Sequence, residues 1–85
     1  MRIEVYRNKP AGKRCNILTE NVLQALTEIV EEFNEVELRI LHSNEIRAPA
    51  ISIDGKVVGE NLSMEEIIEK FSSDELIEYL RKALK

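Results

Sequence analysis

The chain has little to offer covalent or metal chemistry. Its 85 residues hold one cysteine, one histidine and no tryptophan. A single cysteine cannot close an internal disulfide, so no disulfide framework holds this fold. A structural zinc wants four ligands, usually Cys and His. One of each excludes a zinc site built by this chain alone, and no other metal or cofactor is expected. The apolar runs are only a few residues long, which excludes a membrane-spanning helix. The opening stretch, MRIEVYRN, alternates as a strand does. It lacks the charged segment and apolar stretch of a signal peptide, and the expected location is the cytoplasm. Neither a G-x-G-x-x-G nor a Walker pattern occurs, so a nucleotide site has no support. No Ser-His-Asp or paired-carboxylate arrangement is visible in the spacing.

What is present is an ordinary globular composition. Apolar residues make up 44% and charged residues 33%, which reads as one folded domain over residues 1–85 rather than a disordered chain. A chain of this size buries roughly 60% of its unfolded surface, so its core is small. The net charge of −4 is unevenly spread. Residues 1–15 carry Arg2, Arg7, Lys9, Lys13 and Arg14 against Glu4, a local +4 that leaves −8 on the rest. An acidic body argues against general nucleic-acid binding, which wants a broad basic face. The basic patch is local, and it surrounds Cys15.

The order of elements follows from periodicity. Residues 2–7 alternate and predict a strand, and Pro10 and Gly12 punctuate a loop after it. From about Lys13 to Phe33, Leu18, Val22, Ala25, Leu26, Ile29, Val30 and Phe33 fall at helical spacing, with Glu20, Glu28, Glu31 and Glu32 outward. Val36 to His42 alternate again, with Val36, Leu38, Ile40 and His42 on one side. A strand, a helix and a strand in about 40 residues make a right-handed crossover with two parallel strands. "AISI" and "KVV", joined by Asp54-Gly55, predict a hairpin with a type I′ turn. Ser63 with Glu66 forms a capping box that opens a helix to about Phe71. Ser72 with Glu75 resembles a second box, opening a helix to about Leu84. The expected fold is α/β, in the order β-α-β-β-β-α-α, with a four-stranded mixed sheet. Helix one covers one face, and the C-terminal helices pack beside or behind it.

In this order and in two segments the chain resembles the thioredoxin/glutaredoxin superfamily, particularly its small single-domain members. "RAPAISIDGKVVGENLSMEEI" is similar to that family's cis-proline, strand, tight turn, strand and last helix. "GKRCNILTENVLQALTEIVEEF" is similar to its active-site turn running into the first helix. The resemblance covers roughly residues 2 to 71. It implies a thioredoxin-like fold, a cis bond before Pro49, and thiol-disulfide chemistry at the start of the first helix. There the free N–H groups and dipole favour a thiolate.

The family's C-x-x-C motif is incomplete here. In one register Cys15 is the second, resolving cysteine and Gly12 stands where the nucleophile should be, giving G-K-R-C. In the other, Cys15 is the nucleophile and Leu18 replaces its partner, giving C-N-I-L. Either way one chain cannot run a dithiol cycle. The helix that the family places between its second strand and the cis-proline is also missing, with only "SNEIRA" in its place.

Two functions follow from the resemblance. One is a monothiol redox protein in which Cys15 forms a mixed disulfide with glutathione or a protein, resolved by an external thiol. Gly12, Lys13, Arg14, Ala48 and Pro49 then shape its site. The other is a non-catalytic binding module. It would use the backbone at Ala48 and Pro49 for a strand-like peptide, or Arg7, Lys9, Lys13 and Arg14 for an anion at the helix start. If Cys15 is the second-cysteine equivalent, it points inward as a small buried hydrophobe. His42 is expected to be an ordinary side chain near the surface. The oligomeric state is left open.

Overall fold

The computed structural model describes residues 1–32 and 35–83. Its elements are β1 (Arg2–Tyr6), α1 (Lys13–Ile29), β2 (Glu37–Leu41), β3 (Ala50–Ile53), β4 (Lys56–Gly59), α2 (Met64–Lys70) and α3 (Ser73–Ala83). The four strands form one mixed sheet in the order β2-β1-β3-β4. β1 is parallel to β2 and antiparallel to β3, and β3 is antiparallel to β4. The expected element order and mixed sheet are therefore present.

Register explains which residues enter the core. Ile3 pairs with Ile53 and Val5 with Ile51 across β1 and β3, so these four share one face. They form one apolar cluster with Leu18, Val22, Ala25 and Ile29 of α1, Ile67 of α2, and Leu76, Ile77 and Leu80 of α3. Because one cluster holds residues of all three helices, all three lie on that face. The two C-terminal helices thus pack beside α1, and among the described residues the sheet's other face carries no helix. A small polar group occupies that second face: Glu4 lies 3.7 Å from the Arg2 guanidinium and accepts from Ser52 Oγ at 3.3 Å.

Local chemistry sets the element ends. Gly12 is the N-cap of α1 in an extended conformation, and no side chain caps the helix there. α1 ends at Ile29, short of the expected Phe33, which lies outside the described residues. The Asp54-Gly55 turn has φ of 50° and 85°, the two positive values of a type I′ turn. The Ser63–Glu66 capping box is formed in both directions. At Ser72 the hydroxyl accepts from the Glu75 N–H at 3.3 Å, and α3 follows; the expected helix end at Leu84 lies outside the described residues. At Gly59, a Cβ would sit 2.9 Å from Phe71 Cζ and 3.0 Å from Leu62 Cδ2, so a side chain there would have to push both residues aside.

Candidate functional site

The residues singled out in the sequence meet beyond the C-terminal end of β1. β1 leads into Arg7 and Asn8, the loop after them brings in Gly12, and the first turn of α1 carries Lys13, Arg14 and Cys15. From the other side come the link from β2 to β3, residues 42–49, and Asn61 after β4. The Ala48-Pro49 bond is cis, as the resemblance implies, and so is Lys9-Pro10, which nothing in the sequence indicated.

Two backbone–backbone hydrogen bonds and one from a backbone amide to a side chain position Ala48. Asn61 N–H donates to the Arg47 carbonyl at 2.8 Å, and Leu62 N–H to the Pro49 carbonyl at 3.0 Å. The Arg47 N–H donates to Glu60 Oε2 at 3.0 Å. Both residues flanking Ala48 are thereby tied to the segment 60–62. Among the described residues, the amide and carbonyl of Ala48 itself make no hydrogen bond. Asn61 holds φ at +48°, a left-handed conformation that Asn tolerates better than most residues.

Ala48 borders a pocket of ≈ 480 Å³ lined also by Asn8, Arg14, Ser43, Asn44, Ile46, Arg47 and Asn61. Its walls are polar, and its two charged residues are both arginines. Arg14 is half-buried and donates from Nη1 to the Leu62 carbonyl at 2.9 Å. That leaves the other guanidinium donors unassigned among the described residues. Arg7 donates to Asn16 Oδ1, and its Nε is buried with no partner among the described residues. His42 is exposed, and its Nδ1 meets the Arg7 carbonyl at 2.8 Å. A slightly larger hollow, ≈ 510 Å³, lies at the opposite end of β1. Its polar groups are already engaged: the Met1 ammonium donates to the Glu35 carbonyl and Arg2 N–H to Asp54 Oδ1.

Cys15 is not at the mouth of the pocket. It is the third residue of α1 and is 2% exposed. Its carbonyl accepts from Thr19 Oγ1 at 2.8 Å, which holds this turn of the helix closed. Gly12 and Lys13 are exposed, Ala48 is half-buried and Pro49 is buried. The two halves of the predicted site thus separate. Ala48 and Arg14 line one pocket, while the thiol is turned away from solvent. Asn8, Asn44, Arg47 and Asn61 are pocket residues that the sequence reading missed. Their only advance signal was their place: Asn8 in the basic loop after β1, and Asn44, Arg47 and Asn61 in the segments on either side of Pro49.

Comparison with protein-family models, curated proteins and solved structures finds no match.

Among the described residues there is no cluster of His, Cys, Asp or Glu able to hold a metal ion, and no helix long and apolar enough to cross a membrane. The chemistry that the pocket offers is recognition. It presents an unpaired backbone amide and carbonyl, two cationic side chains, and carboxamides that can donate or accept.

Proposed function

We propose that this thioredoxin-like domain is a non-catalytic binding module that holds an extended, carboxylate-bearing segment of a protein partner at Ala48. One observation carries the reading: the unpaired Ala48 backbone borders a polar pocket whose only charges are Arg14 and Arg47. A strand-like segment would pair with the free amide and carbonyl of Ala48, and main-chain pairing of this kind supplies affinity without demanding one sequence. The arginines would select acidic side chains, as planar guanidinium groups match carboxylates. Lys9 and Lys13 extend the positive field over the loop, which speeds the encounter.

The experiment is a titration with a panel of extended peptides, acidic and neutral, followed by amide chemical shifts. Acidic peptides should move the signals of Asn8, Arg14, Asn44, Arg47, Ala48 and Asn61. Arg47→Glu should weaken that binding by at least about fivefold. Shifts that lie elsewhere, or binding indifferent to Arg47→Glu, would sink the reading.

A monothiol redox function is the second reading, and its support is the position of Cys15 in the first turn of α1. It requires the thiol to come out of the protein to meet a disulfide. The two readings part cleanly: a Cys15→Ala variant keeps peptide binding under the first and loses mixed-disulfide formation under the second.

A further inference from the structure

We infer that the outer edge of β2 pairs with the β2 of a second copy of this chain, antiparallel and centred on Leu38, joining two four-stranded sheets into one of eight strands. β2 ends the sheet, with β1 on its inner side. Glu37 N–H donates to the Met1 carbonyl, and the Leu41 carbonyl accepts from Arg7 N–H. Glu37, Arg39 and Leu41 therefore turn their backbone groups towards β1. By strand alternation, Val36, Leu38 and Ile40 present theirs outward. An antiparallel partner must match outward residues with outward residues, so only a few registers are open to two copies of β2.

Charge selects among these registers. With the two-fold axis at Leu38, Glu37 faces Arg39 of the second copy and Arg39 faces its Glu37, two opposite-charge pairs at the close, non-hydrogen-bonded positions. On the other face, Val36 meets Ile40 and Leu38 meets Leu38, an apolar row. Shifting the axis to Arg39 sets two arginines against each other. Shifting it to Ile40 leaves both charges facing Leu41 or solvent. Within one copy Arg39 Nε donates to Glu37 Oε1 at 2.8 Å, so in the joined sheet each side chain would exchange or share that internal partner with one across the interface.

The apolar surface points the same way. Ile40 is 45% exposed although it shares the helix-bearing face with Val5, its register partner. Leu23 and Val30 of the α1 region are 47% and 53% exposed. By helical spacing they sit with Leu26 on one flank. Asn21, Glu28 and Glu32 lie on the opposite flank: Asn21 bonds the Phe71 carbonyl, Glu32 bonds Arg81, and Glu28 borders a hollow with α3 residues. Leu23 and Val30 thus lie on the side remote from α3, towards β2. Two-fold pairing at Leu38 brings this flank of each copy to the same face of the joined sheet. The β4 edge is less regular, since its pairing with β3 shifts register between Ile51 and Ser52, and irregularities of this kind commonly blunt an edge. This inference stands apart from the peptide-binding proposal. Antiparallel pairing sends the two Ala48 pockets to opposite ends and leaves both open.

The test is sedimentation equilibrium of the full chain from about 10 μM to about 1 mM, the range where modest interfaces form. The wild-type chain should pass from 9.8 kDa towards twice that mass. Glu37→Arg and Arg39→Glu, each alone, set like charges opposite one another twice in the interface. Each should raise the dissociation constant by at least about tenfold. An equimolar mixture of the two variants should restore the dimer as a heterodimer, and the double charge swap should restore the homodimer. Both side chains are about half exposed, so folding is spared, and circular dichroism of each variant checks it. A wild-type chain that stays monomeric throughout, or single variants that dimerise like the parent, or a mixture that fails to associate, would overturn the inference.

Discussion

Alkylation of Cys15 by iodoacetamide should be slow in the native protein, and the structure sets how slow. The thiol is 2% exposed, so reagent reaches it only when the chain opens. The smallest opening that frees it unwinds the start of α1. Besides the backbone bonds of that turn, such as Asn16 N–H to the Gly12 carbonyl, that breaks three side-chain contacts: Arg14 to the Leu62 carbonyl, Arg7 to Asn16, and Thr19 to the Cys15 carbonyl. At about 1 kcal/mol net for each hydrogen bond, the three side-chain contacts alone make such opening cost at least about 3 kcal/mol, a protection of at least about a hundredfold. Global unfolding sets the other limit. At roughly 0.05 kcal/mol per residue, a chain of this length gains at least about 4 kcal/mol, or about a thousandfold. The reaction is followed by mass spectrometry against the chain in denaturant at the same pH, which supplies the unprotected rate. Protection should therefore be at least about a hundredfold. Weak dependence on dilute urea would place the opening at the first turn of α1; steep dependence would mean global unfolding. A native rate within about tenfold of the unfolded control refutes the reasoning and moves the redox reading ahead of the binding one.

Four further outcomes follow from the packing and the caps. Gly12→Ser supplies the missing N-cap in open space and at an ordinary φ; chemical denaturation should show a gain of about 0.5–1 kcal/mol. Gly59→Ala pushes a methyl against Leu62 and Phe71 and should cost about 1–3 kcal/mol in the same assay. Leu18→Ala empties a fully buried site at about 2–5 kcal/mol, enough to lower the melting temperature by ten degrees or more, estimated at roughly 4–8 °C per kcal/mol. The Glu66 carboxyl is held below its usual range by its bonds to Ser63, as Glu32 is by Arg81 and Glu37 by Arg39. Each depressed carboxylate contributes stability that is present above its unfolded pKa and is lost as pH falls through its folded pKa. Urea midpoints should therefore drop below about pH 4, the ordinary carboxylate range, and Glu66→Gln should flatten part of that drop.

The parts of this fold that were legible in the sequence are those fixed by short-range chemistry. Asp54-Gly55 specifies its turn because few residues adopt two successive positive φ angles, and Ser63 with Glu66 specifies a helix start because both bonds lie within four residues. The α1 face was legible because 3.6-residue spacing is a property of one segment. The placement of all three helices on one face was not, since it depends on how separate segments divide a single apolar cluster. The site shows the same split. Ala48 and Pro49 were legible through a resemblance of segments. Arg14 was expected to shape a site at the start of α1; its bond to the Leu62 carbonyl, 48 residues away, was not legible because it depends on how distant segments meet. Asn61 joins the pocket through a left-handed backbone, which its residue type permits but does not demand.

The absence of a helix from one face of the sheet separates what may vary from what must not. Ile3, Val5, Ile51 and Ile53 are committed to the helix-bearing side, while Ser43, Asn44, Ile46 and Arg47 shape the pocket from a link that carries no helix. Lengthening that link costs little, about 0.6 kcal/mol for each doubling of a flexible loop. Residues can therefore be inserted or exchanged between His42 and Ala48 without repacking the interior. The scaffold can acquire a new preference in its partner while its folding stability stays nearly constant.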